Sequence, residues 1–131
     1  MKVRLNVTGD RELSAQLARM GPAGVTVAKR VLGRLAQRAA EAARPRTPVD
    51  QVDGGQLRAS VRATRPTRGP AGVSAGVAAG GGDTDSYAVL QHEDLTFKHD
   101  DGQAKFIEVS VFEVAPLVPG EVQAELDSAL R

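Results

Sequence analysis

The feature that most constrains the fold is a long run of small apolar residues at helical spacing between residues 23 and 43. Apolar side chains that recur every three or four residues share one face of an α-helix, and this pattern predicts that the face is buried. The residues of this face are Ala28, Val31, Leu32, Leu35, Ala39 and Ala42. Pro45 lacks a backbone donor and is expected to end the helix. The sequence therefore predicts one long helix at the centre of the fold.

The opposite face of this helix is basic. Arg30, Arg34 and Arg38 follow one another at intervals of four residues, and like charges at this spacing repel one another. Glu41 can relieve only the last of them. Two interpretations are open: a face in contact with water, or a face that meets an anionic partner such as a neighbouring subunit or phosphate.

Three short segments show the alternation of a half-buried strand. Apolar and polar residues alternate over 2–8, over 57–63 and over 73–77, and this period of two predicts strands. Prolines and a glycine at 66–70 indicate a turn. The second and third strands are therefore predicted to form a hairpin.

Two further helices are predicted outside the central one. Asp10 can cap a short helix that ends at Gly21, and Pro119 suits the first turn of a last helix. The β-branched residues of 105–114 favour a strand there. Helices and antiparallel strands together predict an α+β fold in one domain, 1–131.

Composition narrows the classes of protein. The chain has only four aromatic residues, so its core must consist mainly of small aliphatic side chains, which bury little area each. An isolated subunit is expected to be marginally stable unless assembly stabilises it.

The absence of cysteine excludes disulfides and thiolate metal sites. No apolar run is long enough to span a membrane, and the N-terminus lacks the apolar core of a signal peptide. The protein is therefore expected to stay in the cell that makes it until lysis.

Charge is unevenly distributed along the chain. Residues 19–68 carry a net charge of +8 and residues 69–131 a net charge of −8, although the whole chain carries only +1. Such asymmetry suggests either a polar partner or self-complementary stacking of subunits. The alternative is that the two halves neutralise each other within one fold.

Three motifs occur in a characteristic order. They are Asp53-Gly54-Gly55-Gln56-Leu57-Arg58-Ala59-Ser60, then Tyr87-Ala88-Val89-Leu90-Gln91-His92-Glu93-Asp94, then Gly102-Gln103-Ala104-Lys105-Phe106-Ile107-Glu108. Together they resemble the neck and tail-completion family (minor tail component, head–tail joining) of long-tailed bacteriophages. That family is marked by an Asp-x-Gly-x-Leu-Arg-x-Ser run, a Tyr-Ala segment with an acidic residue, and a Lys-Phe-hydrophobic-Glu segment. One departure is Gly54, where the family commonly has Thr.

The resemblance implies a non-enzymatic α+β protein in which one long helix of the N-terminal half packs on a small, mostly antiparallel sheet, followed by a C-terminal helix. It also implies a helix over 105–114. The implied function is that of a virion protein at the head–tail interface, assembled in the host bacterial cytoplasm. Its copies would form a ring that completes or joins the tail and keeps the DNA channel continuous. A tail terminator or a head–tail stopper of the same machine is the alternative.

The expected partners are other copies of the chain and other neck and tail proteins, with incidental contact to packaged DNA and with no cofactor. The polar segment 92–104 is expected to be a mobile docking loop. The candidate interface residues are Arg30, Arg34, Arg38, Arg58, Tyr87, His92, Glu93, Asp94, Lys105 and Phe106.

Two other classes of function are a metal or catalytic site and a nucleic-acid-binding protein. His92 and His99 lie among acidic residues, but two histidines seven apart match neither a zinc spacing nor a nucleophile–base set. The eleven basic residues of 19–68 could neutralise phosphates in a small nucleic-acid-binding protein. That segment has no aromatic residue for base stacking, so sequence-specific binding is disfavoured.

Overall fold

The computed structural model describes residues 2–6, 11–47, 55–69, 72–80 and 106–129. The elements in chain order are strand β1 (Lys2–Asn6), helices α1 (Arg11–Arg19), α2 (Pro22–Arg46) and α3 (Gln56–Ser60), strands β2 (Arg62–Ala63), β3 (Thr67–Gly69) and β4 (Gly72–Ala78), helix α4 (Phe106–Val114), a 3₁₀ turn (Ala115–Leu117) and helix α5 (Val118–Ala129). The predicted α+β class is confirmed, with one long helix, a small antiparallel sheet and a C-terminal helix.

Strand β4 is the centre of the sheet. It pairs antiparallel with β1 on one side and with both β2 and β3 on the other. Val77 lies opposite Val3 in this register. Gly76 is needed here because a Cβ atom on it would collide with the carbonyl of Val3. The close pairing of β1 and β4 therefore depends on a residue without a side chain.

Helix α2 packs against β4 and also against α4 and α5, so it is the element around which the core forms. Its predicted apolar face is confirmed for Val31, Leu32 and Leu35, which are completely buried, whereas Ala42 at the end of that face is only partly buried. Alanines such as Ala36 and Ala39 are also completely buried. Small side chains at these positions let the neighbouring elements approach the helix backbone closely, which suits a chain with few aromatic residues.

The segment predicted as the second strand is mostly helical. Residues Gln56–Ser60 form the single turn α3, and only Arg62–Ala63 extends into the sheet. Leu57 and Val61 are buried whereas Ala59 is exposed. The inward residues are thus four apart rather than two apart, so the alternation of apolar residues was a misleading signal. The predicted turn at 66–70 likewise contains the short strand β3.

The helix implied by the resemblance for 105–114 is confirmed as α4, against the β-branched composition. Its buried residues are Phe106, Ile107, Ser110, Val111 and Val114, which is helical spacing. Packing on α2 therefore outweighs the local propensity for a strand. No helix of the described segments is long and apolar enough to cross a membrane.

Candidate interaction surfaces

The basic face of α2 is paired with an acidic face of α5 within the same subunit. Arg34 lies between two glutamates, with Nη1 3.1 Å from Glu125 Oε1 and Nη2 3.4 Å from Glu121 Oε2. Arg30 Nη1 lies 3.3 Å from Glu125 Oε2, and Arg38 Nη1 lies 3.7 Å from Glu121 Oε1. Arginines and glutamates both repeat every four residues, so each glutamate is shared by two neighbouring arginines.

This ladder of charges affects the titration of Glu125. Hydrogen bonds from Arg34, and secondarily from Arg30, stabilise the charged carboxylate and lower the pKa of Glu125 below its ordinary value. The repulsion expected among the arginines is offset by two carboxylates that alternate with them. For these residues, the charge asymmetry between the two halves of the chain is compensated inside one fold.

A second ion pair joins the end of α2 to α4. Arg46 Nη2 lies 2.6 Å from Glu113 Oε1, and Arg46 Nη1 donates to the hydroxyl of Ser110 at 3.0 Å. Ser110 is completely buried and donates in turn to the Phe106 carbonyl. The pair therefore fixes α4 against the last turn of α2.

Arg58, in the first of the three motifs, closes the C-terminal end of α2. Its Nε and Nη2 donate to the carbonyl of Thr47 at 3.2 and 2.7 Å, and Nη2 also donates to the carbonyl of Pro45 at 3.3 Å. The last carbonyls of a helix have no partner within it and carry partial negative charge. The Arg58 guanidinium supplies hydrogen-bond donors to these carbonyls and a positive charge that complements their partial negative charge.

Ser60, from the same motif, joins α3 to the end of the sheet. Its hydroxyl accepts a hydrogen bond from the Gly80 amide at 2.8 Å and donates to the Leu57 carbonyl at 2.6 Å. The Leu57 side chain is buried in the core. Within the described residues, Leu57, Arg58 and Ser60 thus hold α2, α3 and β4 together at one corner.

The other candidates from the sequence divide into two groups. Phe106 is completely buried and packs in the core of the subunit. Outside the described residues lie Tyr87, His92, Glu93, Asp94 and Lys105, together with the predicted docking loop 92–104. Their assignment to an interface stays a prediction. No group of three or more His, Cys, Asp or Glu residues that could hold a metal ion occurs in the described part of the chain.

One surface feature was not predicted from the sequence. Phe112 is 61% exposed and Leu117 is 38% exposed, and Pro116 between them is also exposed. We call these three residues the apolar patch. The helical spacing of the apolar residues in α4 could have indicated that Phe112 is exposed, since Phe112 falls outside the buried positions of that helix.

A depression lies near the other end of α2. It has a volume of about 270 Å³ and is formed between α1, the first turns of α2 and the strands β3 and β4. Leu17, Val25 and Val73 give it apolar walls, and Arg68 also lines it. We call it the apolar depression.

These features define a small α+β protein in which Leu57, Arg58 and Ser60 of the first motif and the ion pairs join elements of the same subunit, and whose described surface includes the exposed apolar patch. A comparison with known families gives the particular group. The family model described as "Bacteriophage HK97-gp10, putative tail-component" matches residues 11–110. The chain therefore belongs to the HK97-gp10-like family of phage tail components.

The match begins at α1 and ends within α4. It includes the three arginines of the α2 face and all three motifs, whereas the glutamates of α5 lie beyond it. Neither a curated protein nor a solved structure matched the chain.

Proposed function

We propose that this protein is a structural component of the phage neck, at the interface between head and tail. Its copies would form a ring that completes or joins the tail and keeps the channel for DNA continuous. The observation that carries this proposal is the family match to a tail component over most of the chain. A tail component acts in the virion, after assembly in the host cell.

Two properties of the subunit support a role in assembly. Phe112 is one of only four aromatic residues, yet it faces solvent. Exposed aromatic side chains next to other apolar groups are typical of surfaces that contact a partner. The core, rich in alanine and valine, also fits a subunit that gains stability from its neighbours.

The test is deletion of the gene followed by electron microscopy of the lysate. Full heads and finished tails that fail to join would support the neck function. Restoration of joined particles by the wild-type gene supplied in trans is the control.

The same family match is also compatible with a tail terminator or a head–tail stopper. The gene deletion distinguishes each of these functions from tail joining. Loss of a terminator would give tails of uncontrolled length, because nothing stops growth of the tube. Loss of a stopper would give heads that have lost their DNA. Either result would favour the corresponding function over tail joining.

The predicted docking loop 92–104 is the part that we propose contacts the next protein of the neck. Its acidic residues Glu93 and Asp94 would meet a basic surface there. Reversing both charges to lysine should leave the circular dichroism melt unchanged but reduce infectious particles in a complementation assay. Full infectivity of the double variant would show that the loop serves only as a connector.

The nucleic-acid-binding alternative is weakened by the ion pairs. Arg30, Arg34, Arg38 and Arg46 all lie within 4 Å of a carboxylate of the same subunit, so binding phosphate would require breaking these pairs. A gel-shift titration at low and at moderate salt tests the alternative. Tight binding that falls steeply with salt would favour it.

A further inference from the structure

We propose that the apolar depression of one subunit binds residues 93–101 of a second copy, which we call the acidic segment. This inference rests on the proposed ring and names the surface that receives the predicted docking loop 92–104: the next protein that the loop meets is another copy of this chain. Contact between two different surfaces of identical subunits is heterologous, and such contacts close into a ring when the rotation between neighbours permits.

The depression is large enough for one apolar side chain of a partner. Its volume is about 270 Å³, and an apolar cavity on the order of 150 Å³ is sufficient to bind benzene. Leu17, Val25 and Val73 provide apolar walls, and Gly24 and Gly72 contribute no side chains that would fill it. A phenyl ring placed there would be removed from water, which favours association.

Lys29 lies beside this depression. It is one helical turn after Val25, which lines the depression, and one turn before Gly33 on the same side of α2. A Cβ atom on Gly33 would lie 3.0 Å from Pro66 Cγ. The exposed Lys29 side chain therefore starts between the depression and the turn at Pro66.

Two arginines join Lys29 at this place. Arg68 lines the depression and Arg65 immediately precedes Pro66. We call Lys29, Arg65 and Arg68 the basic rim. All three are exposed, and none forms an ion pair with another of the described residues. No carboxylate of the described residues lines the depression, so the rim differs from the arginine face of α2, which is neutralised by α5.

The combination of charge and apolar walls favours a peptide over DNA. Phosphates would also be attracted to the basic rim, but the backbone of duplex DNA offers no apolar group that would fill the depression. The described lining contains no aromatic side chain on which an unpaired base would stack. The surface instead fits a peptide in which carboxylates flank one large apolar side chain.

The acidic segment has this composition. Phe97 lies between Glu93 and Asp94 on one side and Asp100 and Asp101 on the other. Lys98 is its only Lys or Arg, so the net charge is −3, four carboxylates minus one ammonium with the histidine neutral. Complementarity between this charge and the three cations of the basic rim selects the acidic segment as the occupant.

The position of the chain ends suits a contact between copies. Gly80 is hydrogen bonded to Ser60 at the corner where α3 meets the end of α2. Phe106 lies one turn before Ser110, which accepts a hydrogen bond from Arg46 in the last turn of α2. The stretch that contains the acidic segment thus begins and ends near the C-terminal end of α2. The depression lies beside the first turn, roughly 30 Å away along the helix axis. A head-to-tail contact brings these opposite ends of two copies together.

Engineered cysteines test the contact in the full chain, which has no cysteine of its own. Thr96→Cys is placed in the acidic segment, and Ala18→Cys at the exposed edge of the depression. The two single variants are mixed and oxidised mildly. We expect a disulfide-linked dimer in the mixture and little in either variant alone. Thr96→Cys mixed with Gln37→Cys, an exposed position on α2, is the matched control and should give much less dimer.

The outcomes separate this inference from the proposed function. Equal cross-linking of Thr96→Cys to the Ala18 and Gln37 variants would overturn the inference. So would an intramolecular disulfide in a chain that carries both Thr96→Cys and Ala18→Cys, if the mixture of single variants gives no dimer. Absence of any cross-link while wild-type rings are seen in negative stain would overturn the inference but leave the ring function standing. A wild-type protein without rings and without tail-joining activity would refute the function itself.

A charge swap tests the basic rim. Reversing the rim with Lys29→Glu and Arg68→Glu, or the acidic segment with Asp100→Lys and Asp101→Lys, should weaken self-association in sedimentation velocity by about tenfold. A mixture of the two double variants should recover it, because each contact then joins opposite charges. Arg4→Glu, at an exposed position of β1, is the control and should change nothing. Failure of the mixture to recover would overturn the inference. A rim reversal that abolishes a DNA gel shift at unchanged self-association would assign the rim to DNA instead.

A last variant measures the contribution of the phenyl ring. Phe97→Ser should weaken self-association by roughly tenfold to a hundredfold without lowering the melting temperature. Unchanged self-association would overturn the inference. If self-association is unchanged but Phe97→Ser particles fail to join tails, the acidic segment contacts a different neck protein rather than a second copy.

Discussion

Replacing Arg58 by alanine should destabilise the subunit by about 2–3 kcal/mol. The variant removes donors from the carbonyls of Pro45 and Thr47 at the end of α2. Thr47 is completely buried, so water would not readily replace the guanidinium at its carbonyl. A buried acceptor without a partner costs about 1–3 kcal/mol, and a hydrogen bond from a charged donor contributes about 1.5–3 kcal/mol. Both values describe the loss of the same hydrogen bonds, so they are not added together. The expected loss of unfolding free energy is therefore about 2–3 kcal/mol.

Urea unfolding followed by circular dichroism measures this difference. Arg65→Ala is the matched control, because Arg65 is exposed and forms no ion pair with the described residues. Its effect should stay within about 0.5 kcal/mol. Arg58→Lys should recover only part of the loss, because an ammonium retains the charge but not the forked donors.

The opposite result would refute the structural role of Arg58. If Arg58→Ala and Arg65→Ala unfold at the same urea concentration with the same slope, the hydrogen bonds to the helix end contribute nothing measurable. A loss of tail joining at unchanged stability would then assign Arg58 to an interface instead.

Three further predictions concern the core, the helix crossing and the ion-pair ladder. Leu35→Ala should cost about 2–5 kcal/mol in urea unfolding, since Leu35 is completely buried; a cost below about 1 kcal/mol would contradict its central position. Gly24→Ala should lower the melting temperature because its Cβ would collide with the carbonyl of Leu17, whereas Gly120→Ala, which meets open space, should leave it unchanged or raise it slightly. The lowered pKa of Glu125 means that its pairing stabilises the fold above the ordinary value of 4.5 and that this contribution is lost as the pH falls through the lower folded-state pKa. Glu125→Gln should therefore be less stable than wild type at neutral pH and should lose less stability on acidification; equal acid sensitivity in parallel thermal melts would show that the ladder does not contribute.

Much of the central architecture could be predicted from local patterns. The apolar face of α2 follows from the spacing of Val31, Leu32 and Leu35, because a helix twenty-five residues long gives a sustained periodic signal. The strand over Gly72–Ala78 was similarly clear. The family was also accessible, since the order of the short motifs is a property of the sequence.

Short segments could not be assigned in this way. Leu57, Ala59 and Val61 fit both a strand and a helical turn, and only the observed burial of Leu57 and Val61 distinguishes the two. The exposure of Phe112 was missed because hydrophobicity alone predicts that a phenylalanine is buried, although the helical spacing of 106–114 places Phe112 outside the buried positions. In such cases the burial of a side chain depends on which neighbouring element covers it.

The sequence by itself determined the class of fold, the long helix and the family, because periodicity and motif order are properties of the chain. Only the tertiary structure decided what the charged residues do. The arginines of α2 could have faced water, a partner or phosphate, and their pairing with Glu121 and Glu125 depends on α5 lying alongside α2. Residues about ninety positions apart carry no local signal of contact, since electrostatic pairing depends on distance in space.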